Sequence, residues 1–340
     1  YLAVSIELCK VESFLCYPHS RFIQILTHSE ENVETLEKRK PAGLLPTVFQ
    51  IFLSLLWGGN HVSIKASLEY GTPLQVGWMR FVVGGTVTFA YMLLRKESFT
   101  VNKNEIRPLL IVGALFTVQI MFMNVGQYLT TAGHATALNS TYPIWAAVIA
   151  HFLVPTDTLT RWKVLAIVLS YIGILTIVFG DVGIVVPGVS IEGDLMSLLS
   201  AILLGLRLVL MSNFAQNMSE AKIMFGQLVI GITLFFIGSL LFESPQYTIE
   251  SRFWLALAYQ GFVIAGFGFL ANAWLVKKYL PSTVTFYSFI QPPAGVILAW
   301  LVLSEDPGRG LLGGLVFVVA GAITFGSESF VKAKKREALV

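Results

Sequence analysis

Residues 133–154 read GHATALNSTYPIWAAVIAHFLV and residues 281–302 read PSTVTFYSFIQPPAGVILAWLV, and a shift of 148 positions superimposes the two stretches, pairing Ser140 with Ser288. The same shift also pairs Gly113 with Gly261, Asn124 with Asn272, Arg161 with Arg309, and Gly173 with Gly321. Apolar sequences match one another by composition alone, so the polar and glycine pairs are the informative ones. They indicate that the chain contains an internal duplication.

The composition places this duplicated chain in lipid. Of its 340 residues, 55% are hydrophobic and only 13% are charged, and the mean hydropathy is +0.72. Too little polar surface remains to cover soluble domains, which excludes a water-soluble enzyme. The formal net charge is only +3, and no basic stripe outside the apolar runs could follow a phosphate backbone, which excludes a nucleic-acid partner. The predicted partner is the lipid bilayer.

Continuous apolar runs predict membrane-spanning helices. A helix that crosses about 30 Å of hydrocarbon needs about 20 mostly apolar residues, and these runs do not alternate as barrel strands do. The predicted spans cover approximately residues 44–65, 74–94, 109–129, 133–154, 163–180, 194–213, 222–242, 254–276, 282–303 and 311–327. The predicted fold class is therefore an all-α integral membrane protein with ten transmembrane helices.

Each copy of the duplicated unit contains five spans, which is an odd number. The second copy must therefore enter the membrane from the opposite side, and the fold is predicted to consist of two inverted five-helix repeats. Two inverted halves that meet at a cleft can tilt in either direction at similar energy, which underlies alternating access in secondary transporters. A non-transporting scaffold or sensor, in which the duplication serves only stability, stays open as the alternative.

The distribution of Lys and Arg predicts the orientation. With the amino end in the cytoplasm, most of the 23 basic residues fall in cytoplasmic segments, and the outer borders hold Lys65, Arg252 and Arg309. Basic residues collect on the cytoplasmic side of membrane proteins. We therefore expect a multi-pass protein of the cytoplasmic membrane with both termini inside the cell.

The stretch LWGGNHVSIK at residues 56–65 resembles the first-helix signature of the EamA-type drug/metabolite transporters. Other landmarks of that family are matched by Met79-Arg80-Phe81, Tyr142-Pro143, Leu303-Ser304-Glu305 and Gly313-Gly314. The resemblance covers residues 43–330 and implies two inverted five-helix repeats, with helices five and ten at the periphery of a central cavity. It also implies a direction of transport, namely export. Thr156-Asp157 and Ser304 depart from the family pattern, but neither site lies at membrane depth.

The duplication and the resemblance together divide the chain into four predicted parts. Residues 1–42 form a cytoplasmic N-terminal extension, either disordered or partly helical. Residues 43–183 and 184–330 form the two EamA-like repeats, and residues 331–340 form a basic cytoplasmic tail.

Ionisable side chains at membrane depth are candidates for function because burying them without partners is unfavourable. Arg80 either snorkels to the interface or faces a cavity, where its guanidinium could hold a substrate carboxylate. For Arg207 we favour snorkelling to the cytoplasmic interface. His61 is the best proton carrier among the histidines, although a neutral hydrogen-bonding role is more common. No Asp or Glu falls near a predicted helix midpoint, which disfavours proton coupling through a midplane carboxylate.

Amides, phenols and indoles at matched depths predict a polar cavity with aromatic walls, suited to small amphipathic metabolites such as amino acids. The candidate substrate-binding residues are Trp57, Asn60, His61, Trp78, Arg80, Asn124, Asn139, Tyr142, Gln227, Asn272, Tyr287 and Gln291. Each of them could instead only bond helix to helix, a contact typically worth about 1 kcal/mol. Pro143 and Pro292-Pro293 are expected to interrupt helices four and nine at nearly matched places.

Enzyme motifs are missing from the sequence, including His-Glu-x-x-His, Gly-x-Ser-x-Gly and a phosphate loop, so no enzymatic activity is predicted. The two cysteines, Cys9 and Cys16, cannot form a zinc ligand set, and no cofactor or metal is predicted. The sequence therefore predicts a secondary transporter of small molecules. Phosphorylated or nucleotide-linked sugars stay open as an alternative substrate class, and a homodimer is an open oligomeric state.

Overall fold

The computed structural model describes residues 44–153, 159–179, 187–279 and 287–337. Every element within these ranges is a helix, which confirms the all-α fold class. The predicted N-terminal extension over residues 1–42, Asp157 and the side chain of Tyr287 lie outside the described part.

The helices follow the predicted spans in order. The first copy contains α1 (Leu44–Leu68), α2 (Pro73–Leu94), α3 (Lys103–Leu129), α4 (Ala132–Asn139), α5 (Tyr142–Leu153) and α6 (Arg161–Phe179). The second copy contains α7 (Ile191–Phe214), α8 (Glu220–Phe242), α9 (Ser251–Lys278), α10 (Gln291–Leu303) and α11 (Gly308–Glu337). By length and composition alone, α2, α3, α7, α8 and α9 are long and apolar enough to cross a membrane. Gln291–Leu303 and Gly308–Gly321 are shorter apolar helical stretches, and together the segments form a multi-pass membrane protein.

Proline lies in the first turn of a helix in both the fourth and the ninth span. In the fourth span, α4 ends at Asn139 and α5 begins at Tyr142, with Pro143 in the first turn of the new helix. In the ninth span, a 3₁₀ turn at Tyr287–Ile290 precedes α10, whose first turn contains Pro292. Proline lacks a backbone N–H and is tolerated in a first turn, where that N–H has no intrahelical partner. The predicted interruption of the fourth span is therefore present. In the ninth span residues 280–286 lie outside the described part, and the described stretch changes from 3₁₀ to α-helix at Gln291.

Helix α9 departs from regular α-helical geometry in its middle. Residues Tyr259–Gly268 form a π-helix, flanked by α-helical turns at Ser251–Ala258 and Phe269–Lys278. The equivalent part of α3 remains α-helical within Lys103–Leu129. Because π-helical turns often accompany functional sites, this local difference between the two copies makes α9 a candidate to line a binding site.

The two copies meet along pairs of equivalent helices that run antiparallel. Gly173 of α6 packs against Gly314 of α11, while Ala166 packs against Gly321, so the contacts advance along one helix as they retreat along the other. Helices α2 and α8 pair in the same antiparallel sense. Equivalent helices that meet antiparallel must be related by an axis perpendicular to them, which here lies in the membrane plane. The contacts therefore produce the inverted arrangement that the odd number of spans predicts.

Close helix approach also occurs twice at equivalent glycines. A methyl group on Gly58 of α1 would lie 2.9 Å from Cβ of Ala294, and one on Gly205 of α7 would lie 2.7 Å from the backbone nitrogen of Ala146. Ala146 and Ala294 are themselves a matched pair in the repeat. Each copy thus packs its first helix against the interrupted span of the other copy.

One end of the bundle is fastened by carboxylates of the second copy that bind helix N-termini of the first. We call it the Glu305 end: α1, α3 and α10 end there, and α2, α4 and α7 begin there. Glu305 accepts hydrogen bonds from the backbone nitrogens of Ala132 and Gly133 at 2.9 and 3.1 Å. Glu243 accepts from the backbone nitrogens of Leu74 and Gln75 at 2.8 and 3.1 Å. Carboxylates are favoured at helix N-termini, where N–H groups and the helix dipole converge.

A buried acid adds a third tie at the same end. Asp194 in the first turn of α7 accepts hydrogen bonds from the Thr130 hydroxyl at 2.7 Å and from Nδ1 of His134 at 2.9 Å. Both Asp194 and His134 are almost completely buried. At the opposite end, which we call the Glu105 end, Lys222 of α8 pairs with Glu105 of α3 at 2.9 Å. Several buried bonds therefore close the Glu305 end.

We expect Gly205→Ala to destabilise the protein by about 1–3 kcal/mol, because the new methyl group would meet backbone atoms of α5 that cannot rotate away. The measurement is the melting temperature of the purified protein in detergent. Gly85→Ala is the matched control, since its methyl group would find its nearest neighbour, Cδ1 of Ile232, at 3.8 Å. Equal melting temperatures for the two variants would contradict the close contact of α7 with α5.

Candidate functional site

A narrow polar cavity lies between the two copies. It is lined by Gln50, Trp57, Asn60, His61, Arg80, Gln119, Ile120, Met123, Asn139, Tyr142, Leu204, Arg207, Leu208, Gln260, Ile264, Ala265, Phe269, Asn272 and Gln291. The centre of a water molecule can be placed in about 50 Å³ of it, which is room for a few waters. The cavity in this conformation therefore suits a small solute, and a larger one requires the halves to move apart.

Most of the predicted candidate residues come together in this cavity. They are Trp57, Asn60, His61, Arg80, Asn139, Tyr142, Asn272 and Gln291. These residues come from both copies and from both interrupted spans. Their role in substrate binding stays a prediction, but their common location is a structural fact.

Other predicted residues lie away from the cavity lining. Asn124 is fully buried and its Nδ2 donates to the carbonyl of Pro73 at 2.9 Å, so it bonds α3 to α2. Trp78 is half-buried and packs edge-on against Phe236 of α8, with ring centroids 5.5 Å apart. Gln227 is buried one layer behind the lining, where it binds Arg207. The structure thus places these three in helix-to-helix contacts.

The prediction that Arg207 snorkels is wrong. Its side chain is only 7% exposed and lines the cavity. Its Nη1 donates to Oε1 of Gln227 at 3.1 Å, and its guanidinium carbon lies 4.9 Å from the ring centroid of Phe116. These partners on α8 and α3 hold the side chain inside the bundle, away from the interface.

Arg80 is the second guanidinium in the cavity, and the cavity-facing alternative for this residue is the one observed. It is 2% exposed and its guanidinium carbon lies 4.7 Å from the ring centroid of Phe81. Its Nε and Nη2 atoms have no hydrogen-bond partner among the described residues. Two cationic groups, one from each copy, therefore face the same space.

His61 is held by a reciprocal pair of bonds to α3. Its Nδ1 lies 3.2 Å from Oε1 of Gln127, and Nε2 of Gln127 donates to the backbone carbonyl of His61. The ring is buried at the cavity wall. This geometry supports the neutral hydrogen-bonding role for His61.

Three lining glutamines were missed by the sequence-based prediction. Gln50 contacts Ser288 at 3.3 Å, Gln119 donates to Ser200 at 3.0 Å, and Gln260 donates to the carbonyl of Ser63 at 3.0 Å. Gln119 and Gln260 have apolar residues, Phe267 and Val112, at the equivalent positions of the other copy, and Gln50 has the smaller Ser197. The sequence-based prediction relied on matched pairs of larger polar side chains. A search for any amide inside an apolar span, matched or not, would have found them.

Metal binding finds no support in the described ranges, which contain no group of three His, Cys, Asp or Glu side chains placed to hold an ion. The polar groups of the cavity are instead guanidiniums, amides, a phenol and an imidazole. Such a set can bind a polar solute through charge-assisted and neutral hydrogen bonds.

Known proteins share both the sequence pattern and the fold. The uncharacterized transporter YoaV of Bacillus subtilis (strain 168) is 22% identical over 275 residues, which cover 80% of this chain and 93% of YoaV. The uncharacterized transporter YvbV of the same organism is 26% identical over 293 residues, which cover 85% of this chain and 93% of YvbV. One solved structure, described only as the crystal structure of a protein, has a TM-score of 0.64 at 19% identity and shows a similar fold over 83% of this chain and 96% of its own.

The model of the EamA-like transporter family matches the chain twice, over residues 45–179 and residues 191–326. The two matches fall on the two copies that the internal shift indicates. On this double match and on the transporters similar to it, the chain belongs to the EamA-like transporter family.

Proposed function

We propose that this protein is a secondary transporter that exports small metabolites such as amino acids by alternating access between its two inverted repeats. The observation that carries the proposal is the polar cavity, to which both copies contribute side chains. A cavity walled by both halves changes its opening when the halves tilt relative to each other. A scaffold has no use for such a space, and its buried polar groups would be expected to bind one another.

The proposed motion separates the halves at one end while they close at the other. In the described conformation the Glu305 end is fastened by Glu243, Glu305 and Asp194, all of which bind groups of the first copy. Opening that end requires these carboxylates to leave their helix N-termini and hydroxyl partners, where water can replace the lost bonds. We place the Glu305 end outside the cell and both termini in the cytoplasm, because Lys and Arg are concentrated at the other end.

Amino acids suit the donor and acceptor set of the cavity. Arg80 or Arg207 can hold a carboxylate by bidentate hydrogen bonds. The Oδ1 of Asn60 and the Oε1 atoms of Gln119 and Gln260 have no partner in the described part of the chain and can accept hydrogen bonds from an ammonium group. Uptake of a panel of radiolabelled amino acids, nucleosides and quaternary amines into proteoliposomes tests this substrate class.

We expect a cysteine at position 272 to react with a membrane-impermeant maleimide from each face of the membrane, since Asn272 lines the cavity and alternating access exposes it in turn. The assay uses inside-out and right-side-out vesicles, in a background with Cys9→Ser and Cys16→Ser. Asn124→Cys is the matched control from the equivalent helix: its side chain is fully buried outside the cavity lining and stays protected. Protection of position 272 from both faces under every condition favours the scaffold.

We also expect flux to change little when an ionophore collapses the proton gradient. The described cavity lining contains no Asp or Glu, and His61 is bonded to Gln127. His61→Gln, which keeps a hydrogen-bonding side chain, is expected to retain at least half of the wild-type flux. If collapse of the gradient stops transport and His61→Gln does the same, His61 is a proton carrier and the neutral role is wrong.

A further inference from the structure

We infer that the substrate of this cavity is a small organic anion, bound between the guanidiniums of Arg80 and Arg207. The inference rests on the proposed transport function and narrows it, because it selects solutes with net negative charge over neutral and zwitterionic ones. It follows from the charge that the described residues leave uncompensated inside the bundle.

The two cations are deeply buried at the same cavity. Arg80 is 2% exposed and Arg207 is 7% exposed, and both line the space between the repeats. Burying a charge away from water is unfavourable unless an opposite charge or a full set of hydrogen bonds compensates it. The positive charges of Arg80 and Arg207 therefore require a source of compensation.

Aromatic rings connect the two guanidiniums but bring no charge. Arg80 lies over Phe81, the centroids of Phe81 and Phe116 are 4.9 Å apart, and Arg207 lies over Phe116 and also 5.8 Å from Phe269. A ring face attracts a cation through its quadrupole, so these rings orient both guanidiniums. Neutral rings nevertheless leave the net charge of the cavity at two positive groups.

Hydrogen bonds within the protein satisfy only part of the guanidinium donors. Arg207 donates to Gln227, but its Nε has no partner in the described part of the chain. Arg80 has two such donors, Nε and Nη2. A guanidinium presents its donors in a planar fork that matches the oxygens of a carboxylate or a phosphate. The open donors therefore point to an oxyanion of the ligand.

The acids that are described near the bundle interior are engaged elsewhere. Glu243 and Glu305 bind helix N-termini, and Asp194 binds Thr130 and His134. At the other end, Glu105 pairs with Lys222 and Glu220 pairs with Lys277. Among the residues that the structure describes, no carboxylate lines the cavity to balance the two arginines.

A zwitterion adds no net charge and leaves both arginines uncompensated overall, whereas an anion neutralises one of them and a dianion neutralises both. The shared chemistry is an oxyanion, which can come from an organic acid or from a phosphate monoester. The neutral amides of the lining can then bind the remaining polar groups of the ligand. The inferred substrate class is accordingly the small organic acid, with the phosphate monoester as the second source of the same oxyanion.

The experiment compares ligands that differ in charge and little in shape, using the full-length protein in detergent. The pairs are glutamate with glutamine, succinate with its diamide, and glycerol 3-phosphate with glycerol. We expect the anionic member of at least one pair to raise the melting temperature in a saturable way, with its neutral counterpart at least tenfold weaker. The first two pairs report on carboxylates and the third on phosphate.

Variants assign the effect to the two arginines. Arg80→Gln and Arg207→Gln are each expected to weaken anion binding at least tenfold, and Arg80→Lys to restore part of it. Arg95→Gln is the matched control, because it removes an exposed arginine at the Glu105 end of α2 and should leave binding unchanged. Should a glutamine variant fail to fold, the ligand pairs on the wild-type protein still decide the matter.

Two results overturn the inference. One is equal stabilisation by charged and neutral members of every pair, and the other is no stabilisation by any anion of the panel. Neither result contradicts transport itself, which the two-faced labelling of position 272 measures independently. Loss of that labelling with retained anion binding would instead contradict transport and leave an anion-binding membrane protein.

Discussion

The antiparallel crossing of equivalent helices is the constraint on which this molecule depends. At Gly173 and Gly321 the backbones of α6 and α11 approach so closely that added methyl groups would lie under 3 Å from neighbouring atoms. Lipid supplies no hydrophobic driving force between helices, so close van der Waals packing at small residues holds such crossings together. Because the crossings lie on the pseudo-twofold axis, they fix the inversion of one copy against the other and, with it, the position of the cavity between them.

The two copies differ from each other at the two ends of the bundle and inside the cavity. The Glu305 end has three carboxylates that reach from the second copy to the first, whereas the described Glu105 end joins the copies through Lys222 and Glu105. A structure with equal ties at both ends would favour neither tilt. Under the proposed alternating access, unequal bonds at the two ends would favour one conformation at rest, and a substrate would have to compete with them.

The cavity shows the same pattern at atomic scale. For the first two spans of each copy the matching shift is 147 positions, one less than for the later spans. It places Asn60 at the position of Arg207 and Arg80 at the position of Gln227, so each copy holds one guanidinium and one amide in exchanged order. The π-helical stretch of α9 alters one wall only, and Gln260 in that stretch binds back to α1. The two walls of the cavity come from duplicated sequence but present different side chains to a ligand.

The sequence by itself determined the ten helical segments, because the bilayer accepts only long apolar stretches. It also determined the duplication and the inversion, because the repeat spacing and the odd number of spans are visible in the sequence alone. Eight of the twelve candidate residues that it identified line the cavity. Only the tertiary structure decided which face of each helix looks inward: Asn272 lines the cavity while its equivalent Asn124 bonds to Pro73, and Arg207 turns inward to Gln227 and Phe116. The physical reason is that the orientation of a polar side chain depends on its hydrogen-bond and ring partners, and those partners lie on helices distant in the sequence.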